Sequence, residues 1–96
     1  MTEKLNNQSV ADWLEKRPGW NKKGNGLVKE FKFKSFRDTI VFVNRIASLA
    51  DESGHRPAID IRGEMVRLTL STPDVGGISQ LDLELAQRID FATSAR

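Results

Sequence analysis

The chain has no cysteine and a single histidine in 96 residues. The first absence excludes a disulfide framework and thiolate chemistry while leaving every compartment open. The second argues against a zinc site, which draws most of its ligands from those two residue types. There is no apolar run of membrane-spanning length, and the opening Met1-Thr2-Glu3-Lys4-Leu5-Asn6-Asn7 is mostly polar, unlike a secretory leader. The expectation is a soluble, cytoplasmic protein with no membrane association. A strong excess of one charge is also missing, since the net charge is only +2. Its distribution is nevertheless uneven: from Lys16 to Arg37 there are eight Lys or Arg residues against the single acid Glu30. That segment either meets an acidic partner or forms a solvated strand face with flanking loops. No arginine-aromatic RNA motif and no helix-turn-helix pattern supports a nucleic-acid partner.

What is present suffices for one modest core: two tryptophans, five phenylalanines and 39% hydrophobic residues, arranged as a single domain over residues 1–96. Ser9 is placed to cap a short helix with Val10, Trp13 and Leu14 on one side, ended by Pro18-Gly19. An extended segment from Trp20 turns at Lys23-Gly24-Asn25-Gly26 into "LVKEFKF", where Leu27, Phe31 and Phe33 recur at period two and Lys29 interrupts the buried face, at an edge or by snorkelling. Ser35 and Asp38 open a long helix that Gly54 is placed to stop. Its apolar residues form two stripes, Phe36, Ile40, Val43, Ala47 and Ala50 beside Phe42, Ile46 and Leu49. That is wider than one sheet needs, and suits either a second subunit or a broad core contact.

"AIDIR" and "MVRLTLS" flank Gly63-Glu64, which suits a two-residue type II′ hairpin. The implied register sets Ile61 opposite Val66 and Ile59 opposite Leu68 on the core face, with Asp60 opposite Arg67 outside. "TPDVGGI" leads to Ser79-Gln80-Leu81-Asp82, a second capping box, and a final helix carrying Leu81, Leu85, Ile89 and Ala92. The order helix, strand, strand, helix, strand, strand, helix predicts an α+β sandwich with helices on one face of an antiparallel sheet.

Extending the hairpin register brings His55, just past the long helix, opposite Thr72, just before Pro73. Asp51 lies one helical turn before His55 and is placed to pair with it, the helix C-terminus favouring a charged imidazole. Asp82, in the first turn of the last helix, either joins them or caps backbone N–H groups. An imidazole, two carboxylates and the free backbone groups of Ser71 and Thr72 would suit a small polar heterocycle. His55 is then either a helix-end residue or the centre of a site.

Together, "FKFKSFRDTIVFVNRIASLADESGHRP" and "AIDIRGEMVRLTLSTPDVGGISQLDLELAQRID" resemble the pterin-4a-carbinolamine dehydratases, also known as dimerization cofactors of a homeodomain transcription factor. The resemblance runs from about Trp20 to Asp90. It implies a four-stranded antiparallel sheet with three helices on one side, assembly as a homodimer or homotetramer, and dehydration of a 4a-hydroxytetrahydropterin to the quinonoid dihydropterin without metal or organic cofactor.

The family's site motif is an acid, three residues, then His-His-Pro, a third His after a Thr-Leu-(Ser/Thr)-Thr strand, and an Asp opening the last helix. Asp51, His55, Pro57 and Asp82 match it. Arg56 stands where the second His is expected and Pro73 where the third is, and Gly63 replaces an aromatic residue common at the hairpin tip. The resemblance thus implies His55 as the acid/base, with Asp51, Arg56, Pro57, Ser71, Thr72, Pro73, Asp74 and Asp82 around the pterin. Pro73 cannot move a proton, and Arg56 can donate a hydrogen bond but cannot serve as a base. Two readings follow: a dehydratase of weakened activity, or a non-catalytic protein-binding or assembly factor on the same fold.

Overall fold

The computed structural model describes residues 2–94. The elements are α1 (Asn7–Glu15), β1 (Asn21–Lys23), β2 (Gly26–Lys32), α2 (Phe36–Ser53), β3 (Ala58–Arg62), β4 (Met65–Leu70) and α3 (Gln80–Ser94), with a 3-10 turn at Pro73–Val75. The strands make one antiparallel sheet in the order β1-β2-β4-β3, so the expected α+β architecture is present.

Local signals set most of the boundaries. Ser35 accepts a hydrogen bond from the Asp38 N–H at 3.1 Å and starts α2, as its side chain was placed to do. α1 begins earlier than expected, because Asn6 rather than Ser9 is its cap: the Asn6 side chain accepts from the Ser9 N–H at 2.8 Å. In the hairpin, Gly63 has φ +61° and no non-glycine residue among those described has positive φ. Positive φ confined to the first central position identifies the type II′ turn, which fixes the register of Ile59 with Leu68 and Ile61 with Val66.

All three helices contribute to the core on one face of the sheet, where Val10, Phe42, Ile46, Leu85 and Ile89 meet Leu27, Val66, Leu68 and Leu70. Burying such a side chain fully is worth about 1.5–3 kcal/mol, so the central strands β2 and β4 carry most of the sheet's hold on the helices. On the opposite face Arg67 departs from the expected partner. It pairs with Glu30 of β2 at 2.7 Å, and Asp60 pairs instead with Arg62 at 3.5 Å. The hydrogen bond from Arg67 holds the Glu30 carboxyl below its ordinary pKa. Any stability this exposed pair adds is therefore lost as the pH falls through that lowered value.

Two expectations about burial are corrected. Ile59 and Ile61 face the helix side but are 37% and 41% exposed, because β3 is the sheet edge and the helices stop short of it. Of the two α2 stripes, Phe42, Ile46 and Ala50 are buried whereas Phe36 is 57% exposed. Lys29 neither lies idle at an edge nor snorkels: its ammonium binds Asp90 of α3 at 2.9 Å, and the Trp20 indole N–H donates to the same carboxylate at 2.9 Å.

Candidate active site

Three chain segments converge at the C-terminal end of α2. Gly54 takes φ 68°, and the N–H groups of Gly54 and His55 both return to the Ala50 carbonyl, His55 at 3.3 Å. Only glycine adopts this left-handed geometry freely. The helix therefore stops within one residue and delivers the His55 backbone in a set orientation.

The second segment follows β4. The Thr72 N–H donates to the Gly77 carbonyl at 2.8 Å, closing Pro73–Gly76 into a small loop in which the Gly76 N–H returns to the Pro73 carbonyl at 3.0 Å. Pro73 opens this 3-10 turn, where its fixed φ is already suitable. The chain then runs beside the N-terminal segment, with the Leu5 N–H donating to the Ile78 carbonyl at 2.8 Å and Lys4 bridging Ser79. The approach to α3 is thus tied on both sides.

The third segment is the first turn of α3, and its Asp82 joins the other two. Asp82 Oδ1 lies 2.5 Å from His55 Nε2. Its Oδ2 accepts from the Thr72 hydroxyl at 2.8 Å and from the Ser79 N–H at 2.9 Å. The Thr72 and Ser79 hydroxyls are 2.6 Å apart, and Ser79 Oγ accepts from the Leu81 N–H at 3.2 Å. Asp82 and Ser79 are 0% exposed and Thr72 6%. A carboxylate taken out of water needs its lone pairs satisfied; here both oxygens are. The expected capping box is formed, and the same carboxylate also carries the histidine.

This geometry alters the part of several expected residues. Asp51 is exposed and makes no hydrogen bond or ion pair among the described side chains; the carboxylate that holds His55 is Asp82, across the fold rather than one turn back. Asp82 itself is sealed and turned wholly onto His55, Thr72 and Ser79, so it does not present an oxygen to a ligand. Thr72 contributes a buried hydroxyl, and its N–H and carbonyl, expected to be free, are consumed by the Pro73–Gly77 loop. Ser71 takes no part in those loop bonds. Arg56, Pro73 and Asp74 are exposed and Pro57 is half-buried, all flanking His55 or Thr72 in the chain. Ser79 was missed as a site residue. The signal was its place in the Ser79-Gln80-Leu81-Asp82 box, read only as a helix start.

His55 is the one member of the network that reaches solvent, with 11% of its side chain exposed. Among the described residues its Nδ1 has no protein partner, and it is not a sealed atom. A hollow of about 560 Å³ between α2 and α3 is a competing candidate by size, lined by Phe33, Asp38, Val41, Phe42 and Arg45. It lies toward the opposite end of α2, its lining residues on that helix roughly 15–25 Å from His55 at 1.5 Å rise per residue, and no buried polar groups converge on it. The buried polar groups converge at the His55 end instead.

The family model of "Pterin 4 alpha carbinolamine dehydratase" matches residues 3–92. The chain belongs to the pterin-4a-carbinolamine dehydratase family. A protein of Thermomicrobium roseum, provisionally named as a pterin-4-alpha-carbinolamine dehydratase, is 42% identical over 86 residues, covering 90% of this chain and 92% of that protein. The crystal structure of a transcriptional coactivator/pterin dehydratase from Brucella melitensis superposes with a TM-score of 0.88 at 25% identity, covering 93% of this chain and 97% of the other. A pterin dehydratase-like protein identified as a RuBisCO assembly factor in the alpha-carboxysome is similar at a TM-score of 0.61 and 29% identity, over 75% of this chain and 83% of that one. The proteins this chain is similar to thus include some named for catalysis and a dehydratase-like one named for assembly. Among the described residues no group of His, Cys, Asp and Glu is arranged to hold a metal ion, and no helix is long and apolar enough to cross a membrane.

Proposed function

We propose that the protein dehydrates a 4a-hydroxytetrahydropterin, with His55 as its acid/base. The observation that supports this is the hold of a buried carboxylate on His55 Nε2, with Nδ1 left toward solvent. In the reaction a C–OH bond breaks as its oxygen is protonated and leaves as water, and the adjacent ring nitrogen loses its proton as the C=N bond forms. An imidazole, which can carry a proton on either nitrogen, can give the first proton or accept the second. Ser71, Arg56, Pro57, Pro73, Asp74 and Asp51 are proposed as its surroundings, with Arg56 donating a hydrogen bond to the ligand. Neither Arg56 nor Pro73 can supply a second acid/base, and Asp82 is fully occupied, so the other proton passes through water. Losing one positioned proton-transfer group costs about a hundred- to ten-thousand-fold in rate, or roughly 3–5.5 kcal/mol. The expected enzyme is slow.

Homo-oligomerisation belongs to the same proposal, supported by the partly exposed Ile59 and Ile61 of the edge strand β3 and by the exposed Phe36 at the start of α2. A cytoplasmic location is proposed on the family alone. The second reading, a non-catalytic protein-binding or assembly factor, is favoured by Arg56 and Pro73, which remove proton-transfer groups and leave the scaffold intact. The deciding experiment is dehydration of freshly generated 4a-hydroxytetrahydropterin measured against its spontaneous breakdown. Acceleration that His55→Ala abolishes is the expected result. A folded parent protein no faster than the spontaneous reaction would retire the dehydratase reading in favour of the assembly one.

A further inference from the structure

Counting protons around Asp82 assigns every donor in the network. An ionised carboxylate only accepts, and a hydroxyl has one proton to give. Thr72 directs its proton to Asp82 Oδ2 at 2.8 Å. The 2.6 Å contact between the two hydroxyls must then be a donation from Ser79 to Thr72. Ser79 Oγ in turn accepts from the Leu81 N–H at 3.2 Å, and the Ser79 N–H goes to Oδ2 at 2.9 Å. The chain of donors begins at the first turn of α3, runs Leu81 to Ser79 to Thr72, and ends on one carboxylate oxygen. Aligned in this way, each bond polarises the next. The other oxygen, Oδ1, is left facing His55 Nε2 at 2.5 Å, and that nitrogen must carry a hydrogen.

We propose that Thr72 and Ser79 are positioning residues: they hold the Asp82 carboxylate on His55 Nε2, which keeps the imidazole proton on that nitrogen, and so make Nδ1 the nitrogen that exchanges protons with a ligand. The proposal rests on His55 as the acid/base of the proposed function, but its geometry does not require turnover. Both hydroxyls are almost wholly buried, so neither can reach a substrate and their influence passes through the carboxylate. Aspartate alone would leave the carboxylate free to rotate about its side-chain bond. The two donors on Oδ2 remove that freedom and hold Oδ1 on the imidazole.

The test uses the fact that His55 is the only histidine of the chain, so the imidazole gives a single set of resonances. In the full-length protein with 15N-labelled histidine, two-bond 1H–15N spectra of the neutral imidazole should show pyrrole-like Nε2 and pyridine-like Nδ1. Asp82→Asn should reverse this. The Thr72 and Ser79 donors demand the amide oxygen at the Oδ2 position, which turns the amide NH₂ toward His55 and forces Nε2 to accept. In Thr72→Val the Nε2–H resonance should lose its protection from solvent exchange, and dehydration kcat should fall about tenfold, as for a lost hydrogen bond to a charged group, with KM nearly unchanged. Thr72→Ser, which keeps the hydroxyl, should restore both. A folded Asp82→Asn protein that retains the Nε2–H form overturns the proposal, as does an unchanged Nε2–H signal in folded Thr72→Val; the second variant decides the matter alone if the first does not fold. Reversal of the tautomer in a protein without turnover would uphold the relay and remove only the dehydratase reading. Turnover with no reversal would do the opposite.

Discussion

His55 shows how far a single side chain is defined by what surrounds it. Its backbone is placed by Gly54, a local effect, but its imidazole is held by Asp82, 27 positions on. Arg56 follows it directly and Pro73 follows Thr72, so both substituted positions flank the network without entering it. That arrangement makes a restoration experiment informative. Pro73→His should raise dehydration at least about tenfold, part of the range for a positioned acid or base, and the gain should vanish when His55→Ala is added, since groups acting as a unit are not additive. The Gly76 N–H bond to the carbonyl of position 73, 3.0 Å, uses backbone that survives the change. What is lost is the fixed φ of proline at the start of the turn. If the folded variant gains nothing, the loop aims position 73 away from His55 and a second proton-transfer group cannot be rebuilt there.

Among the secondary-structure elements, the end of α2 carries the most functional weight. The αL residue Gly54 ends the helix and sets the direction of the chain through His55 and Pro57 into β3. Gly54→Ala should cost about 1 kcal/mol in denaturant-unfolding stability, because an L side chain is strained at positive φ. It should also lower dehydration by shifting His55 from Asp82. Equal stability of variant and parent would show that the turn tolerates a Cβ and that Gly54 is not needed for the site. The loop before α3 performs the matching task from the other side: the Thr72–Gly77 closure and the Lys4–Ser79 bridge locate the two hydroxyls before the helix begins. β3, by contrast, pairs only with β4 among the described strands, and the apolar residues on its helix-side face are left partly bare.

At that edge the molecule leaves apolar surface uncovered. Ile59 and Ile61, partly exposed, lie on the helix-side face of an edge strand whose outer row of backbone groups is unpaired among the described strands. Such edges are normally blunted, paired or covered. Light scattering at micromolar concentration should therefore give a dimer or tetramer, and Ile61→Lys should shift it toward monomer while leaving the chain folded, since Val66 and Leu68 beneath it are already sealed by the helices. A parent protein that runs as a strict monomer would remove oligomerisation from the proposed function without touching the site chemistry, which lies within one chain.

Much of this was legible from local pattern. The extent of α2, the type II′ turn at Gly63, the pairing of Ile59 with Leu68, and the Ser79–Asp82 box all follow from interactions spanning a few residues, where φ preference, capping and period two act directly on neighbours. The meeting of His55 and Thr72 could be inferred by extending the hairpin. The choice of partners could not. Asp51 and Asp82 are both carboxylates within plausible reach of His55, and only the docking of α3 places Asp82 on the imidazole and leaves Asp51 in solvent. Arg67 faced Asp60 by register yet pairs with Glu30 on the neighbouring strand. Lys29 meets Asp90 61 positions away, and Trp20 meets it 70 away. Ile59 and Ile61 had the alternation of core residues, but burial depends on how far the helices reach across the sheet. Period and capping are properties of a segment and are written in it. The partner of a buried charge, and the cover over an edge strand, depend on which segments pack together, and here the tertiary structure decided both.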